Sequence, residues 1–337
     1  MFARAMNTIA PQNQVNFSPP LTNVTGHPGK DKSALLLLLP ILCSSIQLLG
    51  VAGNAFVIHA ISTQRRFQTD YYYLVCHLAV SDLVVLLAYS EKTLNYYTPS
   101  FKLITTSATC KLLGFFKTMF YTTGVAFLVL IGLLRYRGAI HPLKPRFTRK
   151  KMRCLVAASY LASFLVSISF ALFRDVNKSR VCTFLDQFHV YNVVMSSLVF
   201  FLDFLGPFVL LHVVYLKIIY RLWVQQRVLP HALGAGTEAN AGVSCGVQVR
   251  QRRFFRASFA SFVIVVLFSL SSAPYEILWL LDAVKKTETS VGVSFWAFFV
   301  KLFGNWAINP LIYGVADSSL RHSFRLTFRR IVKCFKR

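Results

Sequence analysis

Seven apolar stretches divide this 337-residue chain, and each is long enough to cross about 30 Å of hydrocarbon as a helix. They cover residues 34–61, 71–92, 110–134, 154–173, 190–223, 257–281 and 292–315. Their apolar spacing is helical rather than alternating, which argues against a β-barrel. Hydrophobic residues make up 55% of the chain and the mean hydropathy is +0.52, above what soluble domains reach. The expected fold class is an all-α membrane protein: a seven-transmembrane helix bundle with a short amphipathic C-terminal helix.

The net charge of +25 raises the question of nucleic acid, but its placement points to a membrane instead. Most of the 37 basic residues lie in the loops after segments 1, 3 and 5 and in the tail, where the acids are Asp70, Glu238 and Asp317. That bias puts these loops and the C-terminus in the cytoplasm and the N-terminus outside. The first 33 residues lack the apolar core of a cleaved signal peptide, so the first helix is expected to act as an uncleaved anchor. The expected division is an outer N-terminal segment (1–33), the bundle (34–315) and a cytoplasmic amphipathic tail (316–337).

The sequons at Asn16, Asn23 and Asn177 all fall on the outer side of this topology, as glycosylation requires. Cys110 and Cys182 also face that oxidising side, which suits a disulfide. Cys43, Cys76 and Cys154 lie in or beside apolar runs and read as packing. In the tail, Leu320, Phe324, Phe328, Ile331 and Phe335 recur at helical spacing among arginines and lysines, a pattern for an anionic lipid surface. Cys334 is a candidate for palmitoylation, with a free thiol as the alternative. The polar, glycine-containing stretch 225–246 is expected to be a flexible loop.

The last apolar stretch ends in Asn309-Pro310-Leu311-Ile312-Tyr313. Proline inside a membrane helix removes a donor and frees a carbonyl that the protein must satisfy. Other short motifs accompany it: Gly53-Asn54, Leu78-Ala79-Val80-Ser81-Asp82, Arg135-Tyr136, Ile140-His141-Pro142-Leu143, Pro207 with Tyr215, and Phe268 with Pro274. In this order and spacing, together with Cys110 and Cys182, they make the chain resemble the rhodopsin-like (class A) G-protein-coupled receptors, of the peptide-receptor kind, over residues 34–337. The resemblance implies that Arg135, Tyr136, Tyr215, Phe268, Pro274, Asn309, Pro310 and Tyr313 serve activation and G-protein coupling. It also implies a polar network of Asp82 with Asn54, Asn305 and Asn309, and a possible sodium ion at Asp82. Gly124 and Trp306 stand where the family usually offers hydroxyls to that ion.

The chain departs from the family pattern in ways that matter. Leu134 precedes Arg135 where an acid is usual, and the inner end of the sixth segment, 250–256, carries no acid either. Arg135 therefore lacks a carboxylate in the resting state, and elevated basal signalling is expected. Ser271-Ser272-Ala273-Pro274 stands in place of Cys-Trp-x-Pro, with Phe268 or Tyr121 as candidate aromatic substitutes. Tyr160 is the candidate to replace the missing tryptophan of the fourth helix.

Glu91, Lys92, Lys117, Tyr121, Asp203 and Glu276 lie in the outer halves of the segments. Intramembrane ionisable groups are candidate functional sites, and the plainer reading is pairing of Lys117 with Glu276 or of Lys92 with Glu91. Mixed signs suit a peptide, whose C-terminal carboxylate would meet Lys117, with Tyr72, Tyr96, Tyr97, Tyr121 and Tyr191 as amphipathic contacts. Lys117 disfavours a cationic amine. Lys301 is two residues from the position at which opsins carry their retinal lysine and is expected to face elsewhere. The leading function is a plasma-membrane receptor that binds an extracellular ligand, most simply a peptide, and activates heterotrimeric G proteins. The alternatives are a receptor for a small carboxylate or lipid, and a seven-helix scavenger that does not signal through G proteins. A transporter would show paired repeats with broken helices, which are absent from the sequence. No metal-ligand cluster, cofactor motif or nucleophile–base pair suggests an enzyme.

Overall fold

The computed structural model of the protein describes residues 30–97, 106–141, 145, 147–176, 182–233, 241–285 and 291–335. The sequons at Asn16, Asn23 and Asn177 lie outside these residues, as do the side chains of Lys92, Tyr96, Tyr97 and Cys334. The chain order is α1 (Lys30–Thr63), α2 (Asp70–Tyr97), α3 (Ser107–Ile140), α4 (Arg149–Leu172), β1 (Arg174–Val176), β2 (Cys182–Phe184), α5 (His189–Val199), α6 (Gly206–Leu233), α7 (Ala241–Lys285), α8 (Val291–Lys301), α9 (Asn309–Ala316) and α10 (Ser318–Phe335). A π-helical turn, Phe200–Leu205, joins α5 to α6, and a second, Leu302–Ala307, joins α8 toward α9.

Among the described residues, six stretches are long and apolar enough to cross a membrane: Ile41–Thr63, Asp70–Glu91, Ser107–Ile140, Arg149–Leu172, His189–Gln225 and Phe254–Lys285. The seventh span is α8, its π turn and α9 taken together. Its interruption follows from Pro310, which cannot donate to the preceding turn. The outer surface of the bundle carries apolar side chains that water would penalise, among them Leu48 at 70%, Leu270 at 68% and Val315 at 75% exposure. A lipid environment accounts for them. Of the stretch 225–246 expected to be a loop, residues 225–233 and 241–246 are helical, and 234–240 lie outside the described residues. α6 continues to Leu233 and α7 begins at Ala241, because extending an existing helix adds a hydrogen bond for each residue fixed.

Glycines set how closely the helices approach, as is common where lipid offers no hydrophobic drive between them. At Gly53 a β-carbon would lie 2.9 Å from Pro310, and at Gly50 one would lie 3.1 Å from the backbone of Ala307. At Gly304, inside the second π turn, a β-carbon would lie 2.4 Å from Ser271 of α7. At one end of the bundle the disulfide Cys110–Cys182, with Cα atoms 5.4 Å apart, pins the β1–β2 hairpin to the start of α3. At the other end Asp317 caps α10, accepting from Ser319 N at 2.8 Å, and Ser323 of α10 donates to Gln64 at 2.9 Å. Phe324 packs edge-on against Phe56, with ring centroids 4.8 Å apart.

Adding a methyl group at a crossing this tight forces the helices apart, at a cost of about 1–3 kcal/mol. Gly304→Ala should therefore lower the melting temperature of the purified protein in detergent. Gly124→Ala, whose β-carbon would meet nothing nearer than 3.7 Å, should leave it unchanged or slightly raised.

Candidate functional site

The motif residues gather in three places along the bundle axis. Midway, buried Asp82 of α2 accepts from Asn309 Nδ2 at 2.8 Å, which ties the second span to the seventh. The other two asparagines expected beside it have different partners. Asn54 donates to Gly50 O at 3.0 Å and Trp306 O at 2.9 Å. Asn305 accepts from Ser271 at 2.6 Å and donates to Ser272 at 2.7 Å. The reason is local: Pro310 has no N–H for the Trp306 carbonyl four residues before it, and Ser271-Ser272 presents two hydroxyls to the seventh span. The Oδ1 atoms of Asn54 and Asn309 are buried here without a hydrogen-bond partner. Gly124 brings no hydroxyl, Trp306 fills its position with a ring, and Asn309 turns its amide nitrogen toward the carboxylate.

Trp306 of the seventh span packs beside Tyr121, one of the two candidates for the aromatic missing from the sixth span. It is buried, stacks on Tyr89 with centroids 5.3 Å apart, and meets the Tyr121 ring edge-on at 6.1 Å. Phe268 is buried six residues before Pro274 on the same helix. Tyr160 of α4 packs edge-on against Phe127 at 5.4 Å, and its hydroxyl lies 3.1 Å from His77 Nδ1.

At the end away from the disulfide, Arg135 lies with its guanidinium 3.9 Å from the centroid of the Tyr71 ring and 5.6 Å from that of Phe254. Its Nε is buried without a hydrogen-bond partner, and no carboxylate pairs with it among the described residues. The aromatic faces of α2 and α7 take the place of the absent acid. Tyr215 and Tyr313 are both buried in this half of the bundle, and Tyr136 packs against His141 with centroids 6.4 Å apart. Tyr72, expected among the ligand contacts, belongs here instead: its hydroxyl donates to Asp317 at 2.7 Å.

The disulfide end holds the charges, and the pairing is not the one expected. Lys117 of α3 bonds Glu91 of α2, and its ammonium also lies 4.9 Å from the Tyr89 ring centroid. Glu276 of α7 is bonded by Lys301 of α8 at 2.5 Å and by the Tyr121 hydroxyl at 2.9 Å. Asp203, on the first π turn, accepts from Thr122 at 2.6 Å. Tyr191 lies outside this cluster and donates to Ser169 O at 2.9 Å. Lys301 is 3% exposed and points inward among Tyr121, Tyr275 and Trp306, contrary to the expectation from ordinary helical spacing. The π turn starts at the next residue and inserts extra backbone, so the face carrying Asn305 and Asn309 and the face carrying Lys301 are brought into register. A lysine inside an apolar run, three residues before a glycine, was the signal that could have identified it.

Arg174, at the start of β1, is a further residue that sequence reasoning passed over. Its register opposite Phe184 carries its guanidinium to 4.7 Å from that ring and 5.7 Å from Phe170. Burial pushes its pKa below the ordinary arginine range, while Tyr89, Tyr275 and Glu91 pull the other way. The adjacent Asp175 is engaged elsewhere: the Val176 N–H donates to it at 2.7 Å and holds its carboxyl below the usual range.

A family model described as "7 transmembrane receptor (rhodopsin family)" matches residues 53–313. The human "Probable G-protein coupled receptor 19" is 24% identical over 294 residues, 86% of this chain and 67% of its own length. The rat "Neuropeptide FF receptor 1" is 26% identical over 308 residues, 84% of this chain and 68% of its own. The human "Substance-K receptor" is 24% identical over 306 residues, 85% of this chain and 71% of its own. Squid rhodopsin superposes with a TM-score of 0.74 at 20% identity, over 89% of this chain and 87% of that one, which shows a shared fold.

Removing one member of a buried ion pair strands the other and costs about 3–5 kcal/mol, whereas replacing both costs far less. Glu276→Gln should therefore lower thermal stability markedly, and Glu276→Gln with Lys301→Met should recover most of the loss. Additive losses in that double-mutant cycle would show that the two side chains are not coupled.

Proposed function

The chain belongs to the rhodopsin family of seven-transmembrane receptors, and we propose that it is a plasma-membrane receptor that binds an extracellular peptide and opens to a heterotrimeric G protein. In this reading the disulfide end faces outward and the basic end lies in the cytoplasm, in line with the positive-inside bias. The family consists of receptors rather than enzymes.

The observation that carries the peptide reading is the pair of ion pairs at the disulfide end, half-buried Glu91–Lys117 and buried Glu276–Lys301, with a further buried acid, Asp203. A ligand bearing charges of both signs can exchange partners with them, whereas an apolar lipid leaves both pairs in place and gains nothing from them. Two relatives are named for peptides, neuropeptide FF and substance K, which agrees in class. Transmission would run through Tyr121, which joins α3 to Glu276 of α7, and through Trp306 to the Asn305–Ser271–Ser272 contacts. α7 would then pivot at Pro274, and Arg135, Tyr215 and Tyr313 would line the opened cytoplasmic pocket. At Asp82 we favour a structural tie between the second and seventh spans over an ion site. The N-terminal sequons and Cys334 remain candidates for glycosylation and acylation. The second reading, a scavenger without G-protein signalling, draws on Leu134 and Ser272.

Ligand-free nucleotide exchange on a panel of G proteins, at equal surface expression, tests the proposal. Wild type should exceed receptor-free membranes, and Arg135→Ala should return to that background. A cation–π contact of about 1 kcal/mol corresponds to about fivefold in population, so Tyr71→Leu should raise basal exchange by about that factor while Tyr71→Phe should not. Silence in wild type and in Tyr71→Leu, followed by ligand uptake without exchange, would favour the scavenger.

A further inference from the structure

Lys117 and Lys301 each hold a carboxylate at the disulfide end; Arg174 holds none among the described residues. Its placement is built in by three features. The register sets it opposite Phe184, the disulfide ties β2 to Cys110, and Gly114 lies one turn beyond Cys110 on the same face of α3. A β-carbon at Gly114 would lie 3.1 Å from Arg174 Nη1 and 3.3 Å from its Cδ, so the arginine runs along a bare strip of helix. The guanidinium then rests 4.7 Å from the Phe184 ring and 5.7 Å from the Phe170 ring, within electrostatic reach of Tyr89, Tyr275 and Glu91.

Its Nε is buried and has no hydrogen-bond partner. A guanidinium cannot lose its proton to escape this cost, and aromatic faces satisfy its charge but not its in-plane donors. Those donors form a planar fork that matches a carboxylate with two parallel hydrogen bonds. Lys117 would have to release Glu91 to anchor a ligand carboxylate, whereas Arg174 has no paired carboxylate to release among the described residues.

We propose that Arg174 is the anion anchor of the outward chamber, and that it takes a carboxylate carried beside an aromatic ring. The ring packs against Phe170 and Phe184 while the carboxylate fills the fork. This assignment rests on the reading of that end as the ligand site. The carboxylate has two possible sources, the C-terminus of a peptide and a small aromatic acid.

The test uses the full chain in lipid nanodiscs and N-acetylphenylalanine as the probe, with N-acetylphenylalaninamide as its uncharged control, followed by equilibrium dialysis. The acid should bind at least about tenfold more tightly than the amide, as a charge-assisted bidentate contact requires. Arg174→Gln should erase that preference, and Arg174→Lys, which keeps the charge without the fork, should fall between. Equal binding of acid and amide, a preference that survives Arg174→Gln, or no saturable binding of the acid would each overturn the proposal. A melting temperature for each variant separates loss of the fork from loss of the fold. The tetrapeptide Gly-Gly-Gly-Phe with a free carboxylate distinguishes the sources: tighter binding than N-acetylphenylalanine indicates a peptide, and equal binding a small acid. Basal nucleotide exchange depends on Arg135 at the other end. Exchange that persists while the acid preference fails removes the Arg174 assignment and leaves the receptor reading intact.

Discussion

A charge inside a helix bundle surrounded by hydrocarbon has to be met by a partner from the same bundle, and much of this structure follows from that requirement. Glu276 illustrates it. The carboxylate on α7 draws Lys301 from the seventh span and the Tyr121 hydroxyl from α3, so one residue joins three spans. Glu91 and Lys117 join α2 to α3 in the same way. These contacts knit the disulfide end, where a ligand able to exchange with them would act on several helices at once.

The second constraint comes from the backbone. Among the described residues, two spans contain π-helical turns, and each turn presents a chemistry-bearing group: Asp203 on the first, Asn305 on the second. A π turn frees carbonyls and rotates the residues before it relative to those after it. In the seventh span this rotation turns Lys301 inward, and Pro310, which has no N–H for the Trp306 carbonyl four residues before it, leaves that carbonyl to Asn54. Gly304 permits it, since the backbone there presses against Ser271 with no room for a side chain. The serines at 271 and 272, which look like a loss when compared with the family pattern, serve as the partners of Asn305.

The two ends of the bundle handle their arginines similarly. Arg135 lies over Tyr71 and near Phe254, and Arg174 over Phe184 and near Phe170, with no carboxylate paired to either among the described residues. An aromatic face holds a cation less tightly than a carboxylate and leaves its N–H donors unfilled. Each arginine is thus held in place and still able to accept a partner from outside the bundle, a G protein at one end and an anionic ligand at the other under the proposals made above.

The sequence by itself determined the seven spans, the amphipathic last helix and the places of Asp82, Arg135, Pro274 and Asn309, because helical period, apolar length and proline placement are local properties of the chain. The departures at Leu134 and Ser272 were equally legible, as residues absent from expected positions. The partners were decided only by the tertiary structure. Whether Lys117 meets Glu276 or Glu91 depends on how α2, α3 and α7 are rotated about their axes, and no spacing along one helix fixes that. The inward turn of Lys301 needed the π turn after it, and the depth of Arg174 needed a hairpin register, a disulfide and a glycine on another helix to coincide. Tyr72 makes the same point in reverse: its amphipathic ring was evident from sequence, but its end of the bundle was fixed by Asp317, 245 residues away in the chain.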